Sequence, residues 1–450
     1  MNKVLFIILI SLFILTTISC TKRDDSLSSS SSDNSSSGSG TIDNSDSDSG
    51  SSATLKISSF VINTTLTSGT IKGSALSQSS NSALSDVNVS YTQSGTTIVN
   101  TATDSSGDFS QALVLGTYTL TYSKSGYLDE IQSATLSADN QTLVVSTLKM
   151  LPDSCTSGTI SGTIKDAVTN DPVTGVSLSA RRGLNMTSGT VAKTDNTPDN
   201  GSYSLSSMNA GWYTVETSIS GYITSTFHVY ACSDQSGQGA FISTTLAPGA
   251  MRIVLSWKTD TDDLDSHLTA SDNLSGQGHS NAVNQQFHLY YEATPFYYAT
   301  NNFSSCSGCS ADQMSDNVTL DLDNTKGIGS CNSCGPETLT LSAVRGGTYR
   351  YYVHNFAEAG KNNLKLAASE ASVNAYYNDT VTTFNVPNSA ADLWYVFDFD
   401  NSSGFTAVNN MGSDDEFTAD VFAPTISEVT AVYTPTNDHA SDYTFSSIEA

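Results

Sequence analysis

Two pairs of aspartates, Asp263/Asp265 and Asp321/Asp323, are the side chains of this 450-residue chain best suited to bind a cation. In an extended strand, side chains two positions apart point the same way, so each pair presents two carboxylates together. With Glu337 they supply hard oxygen atoms for Ca²⁺, which takes six to eight oxygen ligands. The sequence predicts a calcium site at these five residues. The alternative is that they are solvated strand ends and turn caps in a very acidic chain.

Two histidines near the first aspartate pair permit a different chemistry. His267 and His354, with Asp263 or Asp265, can form a transition-metal site or an acid–base pair, although hydrogen-bonded structural histidines are commoner in alternating strands. The alternative function is therefore a metal-dependent hydrolase, or an accessory subunit of an envelope enzyme, centred on residues 263–267. The chain lacks His-Glu-x-x-His and Gly-x-Ser-x-Gly motifs, and we predict that it is not an enzyme.

Four cysteines form two closely spaced pairs, Cys306/Cys309 and Cys331/Cys334. In a cytosolic protein two Cys-x-x-Cys pairs indicate a tetrathiolate zinc site, whereas in an exported protein they favour disulfides. We predict disulfides, with Zn²⁺ less favoured and redox-active pairs as a third alternative. Four cysteines allow three connectivities.

An aromatic segment in the same region is a candidate ligand-binding surface. Tyr290 and Tyr291 are followed closely by Tyr297 and Tyr298, and stacking rings beside acidic residues suit a carbohydrate or a peptide. The alternative is that these rings pack within the core or along strand edges.

The first twenty residues predict export. Lys3 precedes an apolar run from Val4 to Ile14, and small residues then lead to Cys20, which is typical of a secretory signal peptide. The segment from Thr17 to Cys20 resembles the lipobox of bacterial lipoproteins. This resemblance implies a lipid on Cys20 and an anchored location in the cell envelope. Because Thr21 rather than aspartate follows, the outer membrane or the cell surface is favoured.

Charge excludes one class of partner. The chain has 18 Lys and Arg against 44 Asp and Glu, a net charge of −26, which opposes binding to nucleic acid phosphates. No second apolar run is long enough to span a bilayer, so we expect membrane attachment only through lipid on Cys20. The partner is then an extracellular or envelope ligand.

Period-two alternation of β-branched and aromatic residues predicts an all-β fold from about residue 55 onward. An internal repeat of roughly 90 residues is also present. Residues 69–73 match residues 158–162, and residues 116–120 match residues 211–215. A third match aligns the turn that starts at Thr103 with the turn from Thr194 to Gly201. This ordered set of motifs resembles the carboxypeptidase regulatory-like, transthyretin-like family of β-sandwiches. The resemblance implies spacer or interaction modules. Cys155 lies just before the first strand of the second module and Cys232 near its last strands, and in an exported protein this pair predicts a disulfide that closes the module.

Residues 249 to about 400 depart from the repeat. A strand ending in Trp257, the Asp-Leu-Asp-x-His segment and Gly335-Pro336-Glu337 resemble an uncharacterised bacterial extracytoplasmic β domain. The predicted organisation is a signal peptide (1–20), a disordered Ser/Gly/Asp linker (21–54), two regulatory-like sandwiches (55–151 and 152–248), an acidic cysteine-stapled domain (249–402) and a flexible acidic tail (403–450). The predicted function is non-catalytic display, adhesion or binding at the cell surface.

Overall fold

The structure is a computed structural model that describes residues 67–258, 263–270, 287–300, 302–324, 334–412, 432–434 and 444–446. All of them belong to one unit, Thr64–Ala450. The predicted signal peptide, the lipidation site Cys20, the linker 21–54, Cys331, the side chain of Cys334 and most of the predicted tail lie outside the described residues. No helix among those residues has the length and apolar character needed to span a membrane.

The first sandwich packs two antiparallel-rich sheets around tyrosine-rich core positions. Its strands are β1 (Ser68–Ser77), β2 (Asn88–Gln93), β3 (Thr96–Ala102), β4 (Asp108–Val114), β5 (Gly116–Ser123), β6 (Glu130–Leu136), β7 (Thr142–Val144) and β8 (Leu148–Met150). One sheet has the order β4–β1–β7, with β8 also paired to β1, and the other has the order β3–β2–β5–β6. The fully buried rings of Tyr91, Tyr118 and Tyr122 fill the space between them. Alternate positions of β5 point inward, as the period-two pattern predicted.

The second sandwich repeats this topology. Its strands are β9 (Gly158–Asp166), β10 (Ser177–Arg182), β11 (Lys193–Asn196), β12 (Ser202–Met208), β13 (Gly211–Ser218), β14 (Ser225–Ala231) and β15 (Ala240–Ile242). The sheet orders are β12–β9–β15 and β11–β10–β13–β14. A parallel last strand pairs with the first strand in both sandwiches. The internal repeat is thus a repeat of structure.

The turns before β4 and β12 show that one residue match in the predicted internal repeat is wrong. Thr103 donates to the Leu84 carbonyl and accepts from the Val87 amide, and Thr197 makes the same two bonds in the second sandwich. Thr197, not Thr194, is therefore the partner of Thr103, because β11 occupies residues 193–196. Each threonine precedes a glycine by four residues. Gly107 and Gly201 have positive φ, and a Cβ there would meet a carbonyl oxygen at 2.6 Å.

The third domain is a larger sandwich. Its elements are β16 (Met251–Trp257), β17 (Leu264–Ala270), β18 (His288–Leu289), β19 (Phe296–Tyr297), β20 (Asn302–Phe303), α1 (Ala311–Ser315), β21 (Asn317–Leu322), β22 (Cys334–Leu341), β23 (Thr348–Asn355), a 3-10 turn (Phe356–Glu358), α2 (Lys365–Ala368), β24 (Ser372–Tyr377), β25 (Thr380–Asn385), β26 (Leu393–Asp400) and β27 (Gly404–Gly412). The seven-stranded sheet has the order β20–β19–β21–β22–β16–β24–β25, and the five-stranded sheet has the order β18–β17–β23–β26–β27. One apolar core joins the two sheets. The all-β prediction is confirmed.

The predicted end of this domain at residue 402 is wrong. Strand β27 pairs with β26 from Asp400↔Gly404 to Leu393↔Gly412, and Phe405 packs on Phe397 and Phe399. The acidic, loop-like character of the chain end predicts a flexible tail from residue 403, but pairing with β26 orders residues 404–412. Two short strands, β28 (Val432–Thr434) and β29 (Thr444–Ser446), pair with each other farther on.

Candidate functional site

The strands β17 and β23 bring the predicted aspartate–histidine residues together. Asp265 lies directly across the sheet from His354, and His267 is two residues farther along the same strand. One possible ligand atom from each of these three side chains lies within 4.8 Å of the other two. The exposed fractions are 4% for Asp265, 5% for His267 and 1% for His354. We call these three residues the Asp–His cluster.

Glu337 enters the same region from the opposite sheet. Its Oε2 accepts a 2.6 Å hydrogen bond from the Ser266 amide at the edge of β17. A second group of possible ligand atoms, from Asp263, Asp265 and Glu337, also lies within 4.8 Å. Glu337 is fully buried, and its Oε1 has no hydrogen-bond partner in the described part of the chain. Asp265 therefore borders both an oxygen-rich group and a histidine-rich group.

Burial sets the protonation of these side chains. It lowers the pKa of His354 to about 4 and holds the pKa of His267 well below its ordinary value, with His288 and His354 adding to the effect on His267. Burial, reinforced by the charge of Asp265, raises the pKa of Glu337 well above its ordinary value. The imidazoles are thus neutral near pH 7, which is the form that binds metal ions.

A third histidine, His288, belongs to this region, although the sequence pattern did not single it out. Its Nε2 lies 2.9 Å from Nδ1 of His267, and burial lowers its pKa to about 3. The ring of Tyr290 stacks on both imidazoles, with centroids 5.6 Å from His267 and 4.7 Å from His288. The alternating sequence pattern identified Asp265 and His267 as candidate ligands. It could not identify His288, because β18 is only two residues long.

The predicted five-oxygen calcium set is only partly assembled. A β-bulge between Leu320 and Leu322 breaks the alternation, so Asp321 and Asp323 have different surroundings. The Asp321 carboxylate accepts a 2.5 Å hydrogen bond from Thr340 and interacts electrostatically with Arg252. Asp321 is thus separated from the other acidic residues of the predicted site. Asp323 remains close to Glu337. Burial raises the pKa of Asp323, and its interaction with Glu337 lowers that pKa in part.

The four tyrosines do not form one exposed surface. Tyr290 and Tyr298 are each 1% exposed, whereas Tyr291 and Tyr297 are partly exposed. Tyr298 packs in the core with Phe287 and Phe296, and the guanidinium carbon of Arg345 lies 4.2 Å from its ring centre. Tyr290 and Tyr298 are therefore core residues and not part of an exposed surface, whereas ligand binding by the tyrosines of this segment stays a prediction.

The described cysteines form two disulfides. Cys155 is bonded to Cys232, which confirms the predicted closure of the second sandwich. Cys306 is bonded to Cys309 within its own Cys-x-x-Cys segment. Cys331 and the side chain of Cys334 lie outside the described residues, so a disulfide between these two stays a prediction.

A separate cleft of about 310 Å³ lies where the three sandwiches meet. Aromatic rings on its wall include Trp212 and Tyr230 of the second sandwich and Trp257 of the third. The remainder of the wall combines apolar side chains, among them Leu76, Phe241 and Val254, with amide and hydroxyl groups. These include Ser146, Thr147, Asn185, Gln235, Ser236, Gln238, Asn374, Thr383, Asn385 and Asn388.

An ion-pair network crosses this cleft. Glu370 of the third domain pairs with Lys149 of the first at 2.5 Å and with Lys258 at 3.0 Å. The Trp212 indole donates a 2.6 Å hydrogen bond to the Lys149 carbonyl, and the Lys258 ammonium lies 5.4 Å from the ring centre of Trp212. Burial, and then the nearby charge of Lys258, lowers the pKa of His228 to about 4. All three domains therefore contribute to one polar site.

Sequence comparison identifies the first two sandwiches. Residues 70–149 and 159–242 match the model of the carboxypeptidase regulatory-like domain. The chain contains two carboxypeptidase regulatory-like domains. The family resemblance that the sequence motifs predicted is thus confirmed. Both domains belong to a family of non-catalytic modules. No curated protein is significantly similar to the chain.

Several solved protein structures align with the chain at low identity. A streptococcal ancillary pilin aligns at 15% identity over 40% of this chain and 64% of its own, with a TM-score of 0.16. The Bacillus anthracis TIE protein aligns at 12% identity over 72% of this chain and 49% of its own, with a TM-score of 0.17. The shaft pilin SpaA of Lactobacillus rhamnosus GG aligns at 13% identity over 40% of this chain and 98% of its own, with a TM-score of 0.17. These scores are too low to transfer a function.

Proposed function

We propose that this protein is a lipid-anchored, non-catalytic binding protein displayed on the cell envelope, and that the cleft between its three domains binds a carbohydrate. The observation that carries the proposal is the composition of the cleft wall, in which amides and hydroxyls surround aromatic rings. Its volume of about 310 Å³ is at the lower end of the range for small-molecule sites, which fits a short segment of a glycan.

The chemistry of the wall suits a sugar better than an apolar ligand. Sugar hydroxyl groups both donate and accept hydrogen bonds, and amide side chains offer both partners. Aromatic rings such as Tyr230 can pack against the apolar faces of a sugar ring. Glu370 already balances the charge of one of the two lysines, so the cleft carries little net charge and is not a site for a highly charged anion.

Binding by the full-length, detergent-solubilised chain to an array of bacterial glycans tests this proposal. We expect retention of at least one glycan, and a loss of about tenfold or more in affinity for Asn385→Ala and Asn388→Ala. Each removes hydrogen bonds worth roughly 1 kcal/mol or more. The matched control is Asn100→Ala, an exposed asparagine on β3. Absence of any retained glycan, or equal loss in the control, contradicts the proposal.

Anchoring has a test of its own. The lipobox-like segment ending at Cys20 supports lipidation, and the two disulfides fit an oxidising compartment. Metabolic labelling with palmitate is expected to label the wild type and not Cys20→Ala. The variant is expected to leave the membrane fraction. Labelling of both proteins would show that Cys20 is not the lipidated residue.

Metal-assisted hydrolysis is the second candidate function. The convergence of Asp265, His267 and His354 favours it, with Asp263 in the neighbouring group that it forms with Asp265 and Glu337. A catalytic metal needs an open coordination position, and the members of the Asp–His cluster are each at least 95% buried. Hydrolysis of ester, amide or glycoside substrates that depends on added Zn²⁺ and is lost in His354→Gln would replace the non-catalytic proposal.

A further inference from the structure

We propose that Asp265, His267 and His354 bind one divalent transition-metal ion of the zinc class, which joins β17 to β23 inside the third domain. This site is separate from the cleft between the domains. None of the three residues lines that cleft, so glycan binding and metal binding succeed or fail independently.

The first argument is geometric. One ligand atom from each residue lies within 4.8 Å of the other two, which is the spacing expected around a common ion before the side chains close on it at 2.0–2.2 Å. The register explains the arrangement: Asp265 and His354 are opposite each other, and His267 follows Asp265 by two residues. The three residues thus lie on two neighbouring, hydrogen-bonded strands, which hold the set in place.

The second argument is that the buried imidazole of His354 makes no hydrogen bond within the described part of the chain, although it contacts the ring of His267. It is 1% exposed, and neither Nδ1 nor Nε2 has a hydrogen-bond partner among the residues that the structure describes. A buried polar group without a hydrogen bond is destabilising, so a folded protein that keeps one needs a ligand or a water molecule to satisfy it. Coordination to a metal ion satisfies such a nitrogen, and the other one can bind a water molecule or a backbone group.

The donor atoms select the class of metal. Two imidazoles and one carboxylate suit zinc, iron, cobalt or nickel, whereas calcium and magnesium prefer oxygen ligands alone. The neighbouring oxygen group of Asp263, Asp265 and Glu337 is the competing site, and it would favour Ca²⁺. We favour the histidine-containing site because calcium would leave both nitrogens of His354 without a partner.

Metal content and thermal stability of the full-length, non-reduced chain test the proposal. After chelation and dialysis against Zn²⁺, we expect about one zinc per chain and a melting temperature several degrees higher than that of the stripped protein. His267→Gln and His354→Gln are expected to weaken zinc binding by about 100-fold or more. His228→Gln is the matched control, because His228 is also a buried histidine but lies in the second sandwich.

Three results would overturn the site. One is unchanged zinc binding in both cluster variants. Another is a rise in melting temperature with Ca²⁺ but not with Zn²⁺. The third is loss of zinc in Cys331→Ser/Cys334→Ser with retention in the histidine variants. Substitution with Co²⁺ gives a check that does not depend on folding of the variants: visible bands without thiolate charge transfer support nitrogen and oxygen ligands, and thiolate charge transfer contradicts them.

Discussion

At the scale of single residues, the strongest constraints are polar side chains that satisfy buried backbone groups. Thr103 is 3% exposed and holds the turn before β4 through its bonds to Leu84 and Val87. Thr197 does the same before β12, so one residue type at one position defines the corner in both repeats.

Replacing Thr103 by valine tests this role. The substitution keeps the shape but leaves a buried amide and a buried carbonyl without their side-chain partner. We expect a loss of about 1–3 kcal/mol in the free energy of unfolding, measured by urea denaturation. Thr97→Val on the exposed face of β3 is the control and is expected to change stability by less than about 0.5 kcal/mol. Equal effects would show that the two hydrogen bonds do not matter.

At the scale of secondary-structure elements, disulfide bonds and the pairing of strands in hairpins determine which segments are ordered. The disulfide between Cys155 and Cys232 spans 77 residues, whereas that between Cys306 and Cys309 spans three. Cys155 and Cys232 also pack against the core of the first sandwich, so this bond lies near the boundary of two domains.

The two disulfides are expected to differ in their contribution to stability. In the chain-entropy model, Cys155→Ser/Cys232→Ser lowers the free energy of unfolding by about 4 kcal/mol, and Cys306→Ser/Cys309→Ser lowers it by about 1.5 kcal/mol. Thermal denaturation of the two double variants, monitored by circular dichroism, measures the difference. A larger loss from the short loop would indicate that its cysteines have a role beyond closing the loop.

Strand β27 makes a second prediction at this scale. A chain that ends at residue 402 loses β27 and the contacts of Phe405 with Phe397 and Phe399. We expect a loss of more than about 2 kcal/mol in the stability of the third domain, because burying a Phe side chain contributes about 1.5–3 kcal/mol. A chain that ends at residue 412 keeps β27 and serves as the control. Urea denaturation of both should separate them, and identical transitions would show that β27 is dispensable.

At the scale of the whole molecule, ion pairs fasten the three sandwiches to one another. Glu130 of the first sandwich is fully buried and pairs with Arg182 of the second. Glu370 binds one lysine from the first sandwich and one from the third domain. Arg252 of the third domain donates 2.9 Å and 3.0 Å hydrogen bonds to Ser243 and Thr244. These contacts act together with apolar packing across the junctions, where Trp212 joins the core of the first sandwich and Phe241 packs with Val254 of the third domain.

Acid is expected to weaken this junction. Burial alone raises the pKa of Glu370, but the ammonium groups of Lys258 and Lys149 outweigh it and lower the pKa from its ordinary value of 4.5 to about 2. Since the folded-state pKa is lowered, the stabilisation is fully present above pH 4.5 and is lost as the pH falls toward 2. The difference in stability between wild type and Glu370→Gln should therefore shrink over that range.

Urea midpoints at pH 6, 4.5, 3.5 and 2.5 measure this difference. Glu292→Gln, at an exposed glutamate of the third domain, is the control and is expected to show no such trend. His228 is also close to Lys258, and its pKa of about 4 means that it gains a proton in the same acidic range. Because His228 is unchanged in every protein compared, its protonation contributes equally to each. A difference that stays constant with pH would show that Glu370 is not ionised in the folded state.

The sequence by itself determined the all-β class and the two repeats, because period-two alternation and glycine turns are local properties of the chain. It also placed Asp263, Asp265, His267, His354 and Glu337 among the candidate ligands. Which of these residues meet was decided by the register of β17 against β23 and by the pairing of two sheets. Those contacts join residues more than 70 positions apart, and no local pattern encodes them.

Other outcomes depended entirely on the tertiary structure. The bulge in β21 separated Asp321 from Asp323, and burial turned Tyr290 and Tyr298 from a predicted binding surface into packing residues. The cleft and its Lys149–Glu370–Lys258 network could not be predicted from the sequence, because Lys149 belongs to the first sandwich and both Lys258 and Glu370 belong to the third domain, more than 100 residues away from each other. Local alternation fixes which side of a strand a residue occupies, but only packing between sheets and domains decides what lies on that side.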